Sequence, residues 1–134
     1  MAGKKRILIA DDHAEMLEEV RQLLERDYDV VGAVVDGSQL VEAAFELKPD
    51  LVITDISMPV MNGFEAAAKM RGLGLKTDII FLTVQSTPPY VRKARSLGAN
   101  GYVLKVYTNE QLPTAVSEVL NGRSYTSPQL NASC

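Results

Sequence analysis

Cysteine is almost absent from this sequence: Cys134, the last of the 134 residues, is the only one. A lone cysteine forms no disulfide within its chain, so a fold held together by internal disulfides is excluded and a reducing compartment is indicated. Long apolar runs are absent too, since no stretch approaches the roughly 20 residues that span a bilayer. Near the amino terminus only residues 7–10 are apolar before two aspartates intervene, too few for a signal peptide. These absences predict a soluble, cytoplasmic protein with no membrane partner.

An excess of positive charge is also lacking. The formal net charge is -3, which argues against a free-standing nucleic-acid binder, because such proteins carry a basic face or stripe. Internal repeats and low-complexity tracts are absent as well. Nearly half of the residues are apolar, 46% of 134, which is enough for one domain with a buried core.

Short apolar runs alternate with helical patterns along the whole chain. The apolar runs predict five strands, at 7–10, 28–35, 51–55, 79–83 and 101–105. A helical pattern follows each strand. Ser38 is a candidate N-cap, Pro88 a helix start with the helix running to Ser96, and Thr108 with Gln111 a capping box. The strict order predicts an α/β fold: a doubly wound, five-stranded parallel sheet, flavodoxin-like (βα)5, with strand order 2-1-3-4-5.

Polar residues stand at the carboxyl ends of four predicted strands. They are Asp11 and Asp12 after the first strand, Asp55 at the third, Thr83 at the fourth and Lys105 at the fifth. Each alone has an ordinary reading as a turn former, a strand former or a surface charge. In open parallel sheets, however, ligands bind outside the carboxyl ends of the strands. Five such residues at one sheet edge therefore predict a functional site, whereas His13 is read as an exposed residue at a helix start.

The chemistry of this set is specific. Three carboxylates held close together resist ionisation unless a cation lies among them, and Mg2+ prefers oxygen ligands of this kind. The metal and Lys105 would cancel the acidic charge and let a phosphorylated donor approach. A carboxylate can then attack phosphorus and form an acyl phosphate, while the metal, the lysine and a hydroxyl hold the peripheral oxygens.

These residues resemble the receiver domains of bacterial response regulators. The matching pieces occur in order, at 7–13, 51–59, 62–63, 81–83 and 98–105. The resemblance covers 5–122, the expected receiver domain, and leaves 123–134 as a tail or the start of a linker. Residues 101–105 and 120–130 look like the NarL/FixJ type of transcriptional regulator, in which a helix-turn-helix domain follows. The chain is therefore expected to be either a stand-alone receiver or part of a longer protein.

The resemblance implies a metal site and a phosphoacceptor. Asp55 would accept a phosphoryl group from a sensor histidine kinase with Mg2+ as cofactor. Asp12 would bind the metal directly, Asp11 would act through water, and Asp55 with the backbone carbonyl of Ser57 would complete the ligands.

The remaining roles concern the phosphoryl oxygens and the switch. The resemblance implies that Thr83 and Lys105 bind those oxygens, and that Thr83 and Tyr102 form a switch in which the Tyr102 ring turns from exposed toward buried. It implies a signalling protein rather than an enzyme, one that catalyses only its own phosphorylation and dephosphorylation. It also implies a homodimer on phosphorylation, and contact with DNA only through an output domain not present in this chain.

Two positions depart from the common receiver pattern. Val106 follows Lys105 where many receivers have proline, and Val84 follows Thr83 where a small residue is common. A cis peptide bond without proline costs about 3 kcal/mol, so the Lys105–Val106 bond is expected to be trans.

Three alternatives remain open from the residues. A phosphatase of the haloacid dehalogenase type would carry Asp-x-Asp after the first strand, where this chain has Asp11-Asp12-His13. A flavodoxin-like binding module would need a Ser/Thr- or Gly-rich phosphate loop there. A degenerate receiver, acting only as a protein-binding scaffold, would not need the complete set of acids, Thr83 and Lys105.

Overall fold

A computed structural model of the chain describes residues 3–131, so Cys134 and the end of the expected tail lie outside the described residues. Within that range the elements alternate as the sequence predicts. They are β1 (Arg6–Ala10), α1 (Ala14–Leu24), β2 (Asp29–Val34), α2 (Gly37–Leu47), β3 (Leu51–Thr54), α3 (Gly63–Gly72), β4 (Asp78–Thr83), α4 (Pro88–Ser96), β5 (Gly101–Leu104), a 3-10 helix (Lys105–Tyr107), α5 (Thr108–Leu120), β6 (Tyr125–Thr126) and α6 (Pro128–Asn131). Each of the helices described is too short or too polar to cross a lipid bilayer.

The sheet is parallel throughout, in the order β2-β1-β3-β4-β5-β6. The first five strands lie in the predicted order, and the prediction of five strands in all is wrong. The sixth strand pairs Tyr125 and Thr126 with Gly101 and Tyr102 of β5. A strand of two residues is too short to show the alternating pattern by which strands are predicted. It forms because the edge of β5 offers backbone groups for pairing.

An apolar core covers each face of the sheet. Successive side chains of a strand point to opposite faces, so β3 sends Val52 into one cluster and Ile53 into the other. Helices α2, α3 and α4 pack on the first face, and α1 and α5 on the second. Phe81 of β4 is the largest fully buried side chain and meets Phe64 edge to face, at 5.1 Å between ring centroids. Strands covered on both faces read as continuous apolar runs, as observed here.

The helix starts agree with the sequence predictions at α4 and differ from them at α2 and α5. The bounds of α4, Pro88 to Ser96, match the prediction. The N-cap of α2 is Asp36 rather than Ser38, because the Asp36 carboxylate accepts a hydrogen bond from the amide of Gln39 at 2.8 Å.

The capping box predicted at the start of α5 is wrong. Thr108 is the first helical residue, and its hydroxyl donates back to the carbonyl of Lys105 at 2.6 Å. The Gln111 amide instead donates to Gln129 of α6, at 2.9 Å. The Gln111 side chain, which the local pattern assigned to the helix cap, therefore hydrogen-bonds with the C-terminal helix α6 instead.

Candidate functional site

The backbone of the sheet places two acids side by side. Ala10 of β1 pairs with Thr54 of β3, and the ladder continues one step as the amide of Asp55 donates to the carbonyl of Ala10 at 3.0 Å. Asp11 and Asp55 therefore leave neighbouring strands at the same level. Both are buried, 4% and 5% exposed. Ligand atoms of Asp11, Asp12, His13 and Asp55 all lie within 4.8 Å of one another.

Lys105 supplies the positive charge of the site. Its Nζ lies 2.7 Å from Asp11 Oδ2 and 2.8 Å from Asp55 Oδ2. Burial by itself would lower the pKa of this amine, but hydrogen bonds and charges from the two aspartates outweigh it and raise the pKa above its ordinary value. The ammonium is thus a fixed cation between two buried carboxylates.

The loop after β3 is folded tightly against the phosphoacceptor candidate. The amide of Ile56 donates to Asp55 Oδ1 at 2.7 Å, and the amide of Gly63 donates to the carbonyl of Ile56 at 2.7 Å. A Cβ at Gly63 would lie 2.1 Å from the carbonyl oxygen of Asp55, so only glycine fits at this close approach. Ser57 lies exposed in the same loop.

His13 is exposed, as the sequence predicts, but it also contacts the acids. Its side chain is 69% exposed, and its Nδ1 lies 3.0 Å from Asp11 Oδ1 and 3.1 Å from Asp12 Oδ1. Its backbone amide also donates to Asp11 Oδ1, at 2.9 Å. Asp12 has no other ion pair among the described residues, and its side chain is 34% exposed. Of the acid pair, Asp12 is therefore the freer to bind a cation from solvent.

Thr83 and Tyr102 are linked through a residue that the sequence did not single out. The Thr83 hydroxyl, buried at the end of β4, accepts from the amide of Gln85 at 3.3 Å. The Tyr102 hydroxyl donates to the carbonyl of Gln85 at 2.7 Å. Backbone contacts of this kind leave no signature in the sequence, which explains why Gln85 was missed.

The Tyr102 ring is buried in this structure, only 3% exposed, whereas the expected switch starts from an exposed ring. It packs in the core cluster with Phe81 and Val91, and its hydroxyl keeps a hydrogen-bond partner, so burial leaves no polar group unsatisfied. Burial, then the charges of Tyr90 and Asp55, raise the pKa of the Tyr102 phenol well above its ordinary value. The ring therefore occupies the inward position of the expected switch.

Three exposed valines lie on the loops that surround the site. They are Val60, Val84 and Val106, which are 84%, 68% and 76% exposed and follow β3, β4 and β5. The Lys105–Val106 bond is trans, as are all peptide bonds in the described range, which confirms the prediction made for it.

The donor set fits a hard divalent cation. Carboxylate oxygens from three aspartates within 4.8 Å match the preference of Mg2+ for oxygen ligands. The cluster is open to solvent at Asp12, whose side chain is 34% exposed.

The family model of the response regulator receiver domain matches residues 7–117 of this chain. The chain belongs to this family. It is therefore a receiver domain of the kind found in two-component response regulators.

The similar proteins point to one type of receiver domain. The transcriptional regulatory protein DesR of Bacillus subtilis is 37% identical over 92% of this chain and 62% of its own length. The nitrate/nitrite response regulator protein NarL of Escherichia coli is 36% identical over 92% of the chain and 58% of its own length. A two-component response regulator of the LuxR family from Aurantimonas superposes with a TM-score of 0.92 and 31% identity, covering 98% of this chain and 95% of that one.

These relatives support the NarL/FixJ type that the sequence resembles. The receiver domain nevertheless spans only 57–64% of the first curated relatives it matches.

Proposed function

We propose that this receiver domain accepts a phosphoryl group on Asp55 from a sensor histidine kinase. The observation that carries the proposal is the Lys105 ammonium, held 2.7 Å from Asp11 and 2.8 Å from Asp55 at the carboxyl ends of the strands. Two buried carboxylates and a fixed cation beside a partly exposed third acid form a place where a dianionic group can be received.

The transfer follows from the positions of these groups. An oxygen of the Asp55 carboxylate forms a bond to phosphorus as the bond from phosphorus to the donor imidazole nitrogen breaks. Lys105 is already at the Asp55 carboxylate, so its ammonium can pass to the phosphoryl oxygens with little movement. The Ile56 amide holds the second oxygen, Oδ1, at 2.7 Å and orients the carboxylate for attack.

Asp11, Asp12, Asp55 and the Ser57 carbonyl would hold Mg2+. When bound, the metal would offset the repulsion between the acids and the incoming phosphate. Asp12 is proposed as the direct ligand, since Asp11 is already engaged by Lys105 and His13. Asp11 would then act through water.

We propose that the switch runs from Thr83 through Gln85 to Tyr102. A phosphoryl group brings nearly two negative charges and new acceptor oxygens. It would draw the Thr83 hydroxyl away from the Gln85 amide, and the Gln85 carbonyl holds the Tyr102 hydroxyl. Spectra with and without beryllofluoride, a phosphate mimic, test this step, because an unmoved β4–α4 loop would contradict it.

The wider setting is proposed from the family. Residues 5–122 form the main part of the receiver unit, residues 125–131 add a short strand and a helix to it, and the protein works in the cytoplasm. In a longer parent protein the output would be transcription, with DNA bound by an additional domain and with a homodimer formed on phosphorylation. The domain itself would turn over no substrate other than its own phosphoryl group.

Labelling with acetyl phosphate and Mg2+ tests the central proposal. The wild-type chain is expected to gain a single phosphoryl mass and Asp55→Asn none, while Asp27→Asn, at an exposed turn position, is labelled like wild type. Labelling of Asp55→Asn at the wild-type level would refute the assignment. Continuous hydrolysis of phosphate esters would instead indicate a phosphatase.

A further inference from the structure

The C-terminal β6–α6 segment (residues 125–131) closes the open edge of β5. The amide of Tyr125 donates to the carbonyl of Asn100 at 3.0 Å, and the amide of Ser127 donates to the carbonyl of Tyr102 at 2.9 Å. Leu130 is 3% exposed and joins the core cluster that contains Tyr102. The segment therefore contacts the backbone of the switch residue and adds to the core.

Ser127 lies at the centre of a buried polar network in this segment. It is fully buried, and its Oγ accepts from the amide of Leu104 at 3.0 Å. The same hydroxyl donates to Gln111 Oε1 at 2.5 Å, and Gln111 Nε2 donates to Gln129 Oε1 at 2.9 Å. No buried side-chain polar atom in the described range lacks a partner, so this network is complete.

The network holds the main chain directly before Lys105, because its contact to β5 is made at the Leu104 amide. On the other side, the Thr108 hydroxyl donates to the carbonyl of Lys105 at 2.6 Å. Two hydroxyls thus fix the main chain on either side of the Lys105 side chain. That side chain must reach two carboxylates on other strands, at 2.7 and 2.8 Å, and a shift of its backbone would break both contacts.

We infer that Ser127 is a positioning residue for Lys105, and that docking of the β6–α6 segment and binding of the phosphoryl group stabilise each other. The inference rests on the proposed function, since it matters only if Lys105 holds the phosphoryl oxygens. Coupling of this kind is reciprocal: whatever factor the docked segment adds to phosphoryl affinity, phosphoryl binding adds to docking. Docking of the segment at the edge of β5 would therefore depend on whether Asp55 carries a phosphoryl group.

The first test measures beryllofluoride affinity in the presence of Mg2+ by fluorine NMR on the full chain. Ser127→Ala is expected to weaken binding about fivefold or more, the lower end of common coupling factors. Ser127→Thr keeps the hydroxyl and is expected to restore binding. Thr126→Ala is the matched control, since within the described range its hydroxyl accepts a hydrogen bond from Arg95, at 3.3 Å on the exposed surface.

A second test needs no variant. Hydrogen exchange of the Tyr125 and Ser127 amides in the wild-type chain is expected to slow about fivefold or more when beryllofluoride saturates the site, because the coupling between docking and binding is reciprocal. Amides of α2, which lies by the opposite edge of the sheet, are expected to change less.

Several results would overturn the inference. Equal affinity of wild type and Ser127→Ala would do so, as would equal losses in Ser127→Ala and Thr126→Ala, which would show general loosening of the segment. Equal slowing of the α2 and Ser127 amides would likewise show global stabilisation alone. If wild type itself neither binds beryllofluoride nor is labelled at Asp55, the proposed function fails first.

Discussion

Lys105 and Asp55 are fifty residues apart in the sequence, yet Lys105 Nζ lies 2.8 Å from Asp55 Oδ2. The same ammonium lies 2.7 Å from Asp11 Oδ2. Both aspartate side chains are 5% exposed, so a single cation allows two buried carboxylates to lie next to each other in the folded protein. The stability of the sheet edge and the chemistry of the site therefore depend on the same contact.

Removing that cation is expected to destabilise the domain. Lys105→Met leaves Asp11 and Asp55 without their partner, and breaking a buried ion pair from one side costs about 3 kcal/mol. Mg2+ should recover part of this loss, because a ligand that binds only the folded state stabilises it. Urea unfolding with and without Mg2+ measures both effects. Lys93→Met, on the exposed face of α4, is the control, and an equal loss in both variants would contradict the interpretation.

The two acids after β1 are expected to contribute unequally to metal binding. Asp12→Ala should lose more Mg2+ affinity than Asp11→Ala. Removing a second-sphere partner already costs about tenfold or more, so the loss of a direct ligand should exceed that. The structural reason is that Asp11 already contacts Lys105 and the backbone of His13, whereas Asp12 is partly exposed. Calorimetric titration of the full chain measures the affinities. A larger loss in Asp11→Ala would reverse the assignment of the direct ligand.

Arg71 joins the ends of two helices, which makes its planar guanidinium hard to replace. Its three nitrogens donate to four backbone carbonyls, those of Leu75, Thr77, Leu97 and Gly98, at 2.8–3.3 Å. A lysine cannot reach this arrangement, so Arg71→Lys is expected to lower the free energy of unfolding by about 2 kcal/mol. Arg92→Lys, exposed on α4, should change stability little in the same denaturant titration, and equal values would refute the role.

Val60 is held in a backbone conformation that its side chain disfavours. Its φ is 67° and it is 84% exposed. Packing of the side chain therefore does not offset the free-energy cost of the left-handed conformation. That conformation costs an L residue roughly 1–2 kcal/mol, while glycine costs about 0.5–1 kcal/mol in chain entropy. Val60→Gly is therefore expected to stabilise the domain by about 0.5 kcal/mol. Val106→Gly, exposed but outside the positive-φ region, should destabilise it, and the same sign for both would contradict the argument.

Asp78 is expected to make stability depend on pH. Burial raises the pKa of its carboxyl, Asp50 raises it further, and Arg71 and Lys5 partly offset the rise. A raised pKa means that the folded state holds the proton more tightly, so the contribution of Asp78 to stability is lost as pH rises through the folded-state pKa. Asp78→Asn should therefore be more stable than wild type at neutral pH and lose this advantage below the ordinary aspartate pKa. A difference independent of pH would refute the assignment, and Asp27→Asn is the exposed control.

Most of the strands and helices could be predicted because their positions depend on local residue patterns. Continuous apolar runs such as residues 51–53 mark strands covered on both faces, and Pro88 marks a helix start at its true position. The position of the site could be predicted from a simple rule. The carboxyl ends of parallel strands meet at one edge of the sheet, so Asp11, Asp55 and Lys105 were expected to lie close together. Their identities were enough to predict a cation, a phosphoryl group and the chemistry between them.

What only the tertiary structure decided depends on contacts between distant segments. The strand Tyr125–Thr126 exists because β5 offers an open edge, and Ser127 is buried because Leu104 presents an amide there. Gln111 has the spacing of a capping-box residue. In the folded chain, however, its side chain hydrogen-bonds with Ser127 and Gln129. Such hydrogen bonds join any donor to any acceptor that the fold brings together, so no residue pattern announces them. The sequence determined the first five strands and the acids at their carboxyl ends, and packing decided how the C-terminal segment adds a sixth strand and contacts the chain beside Lys105.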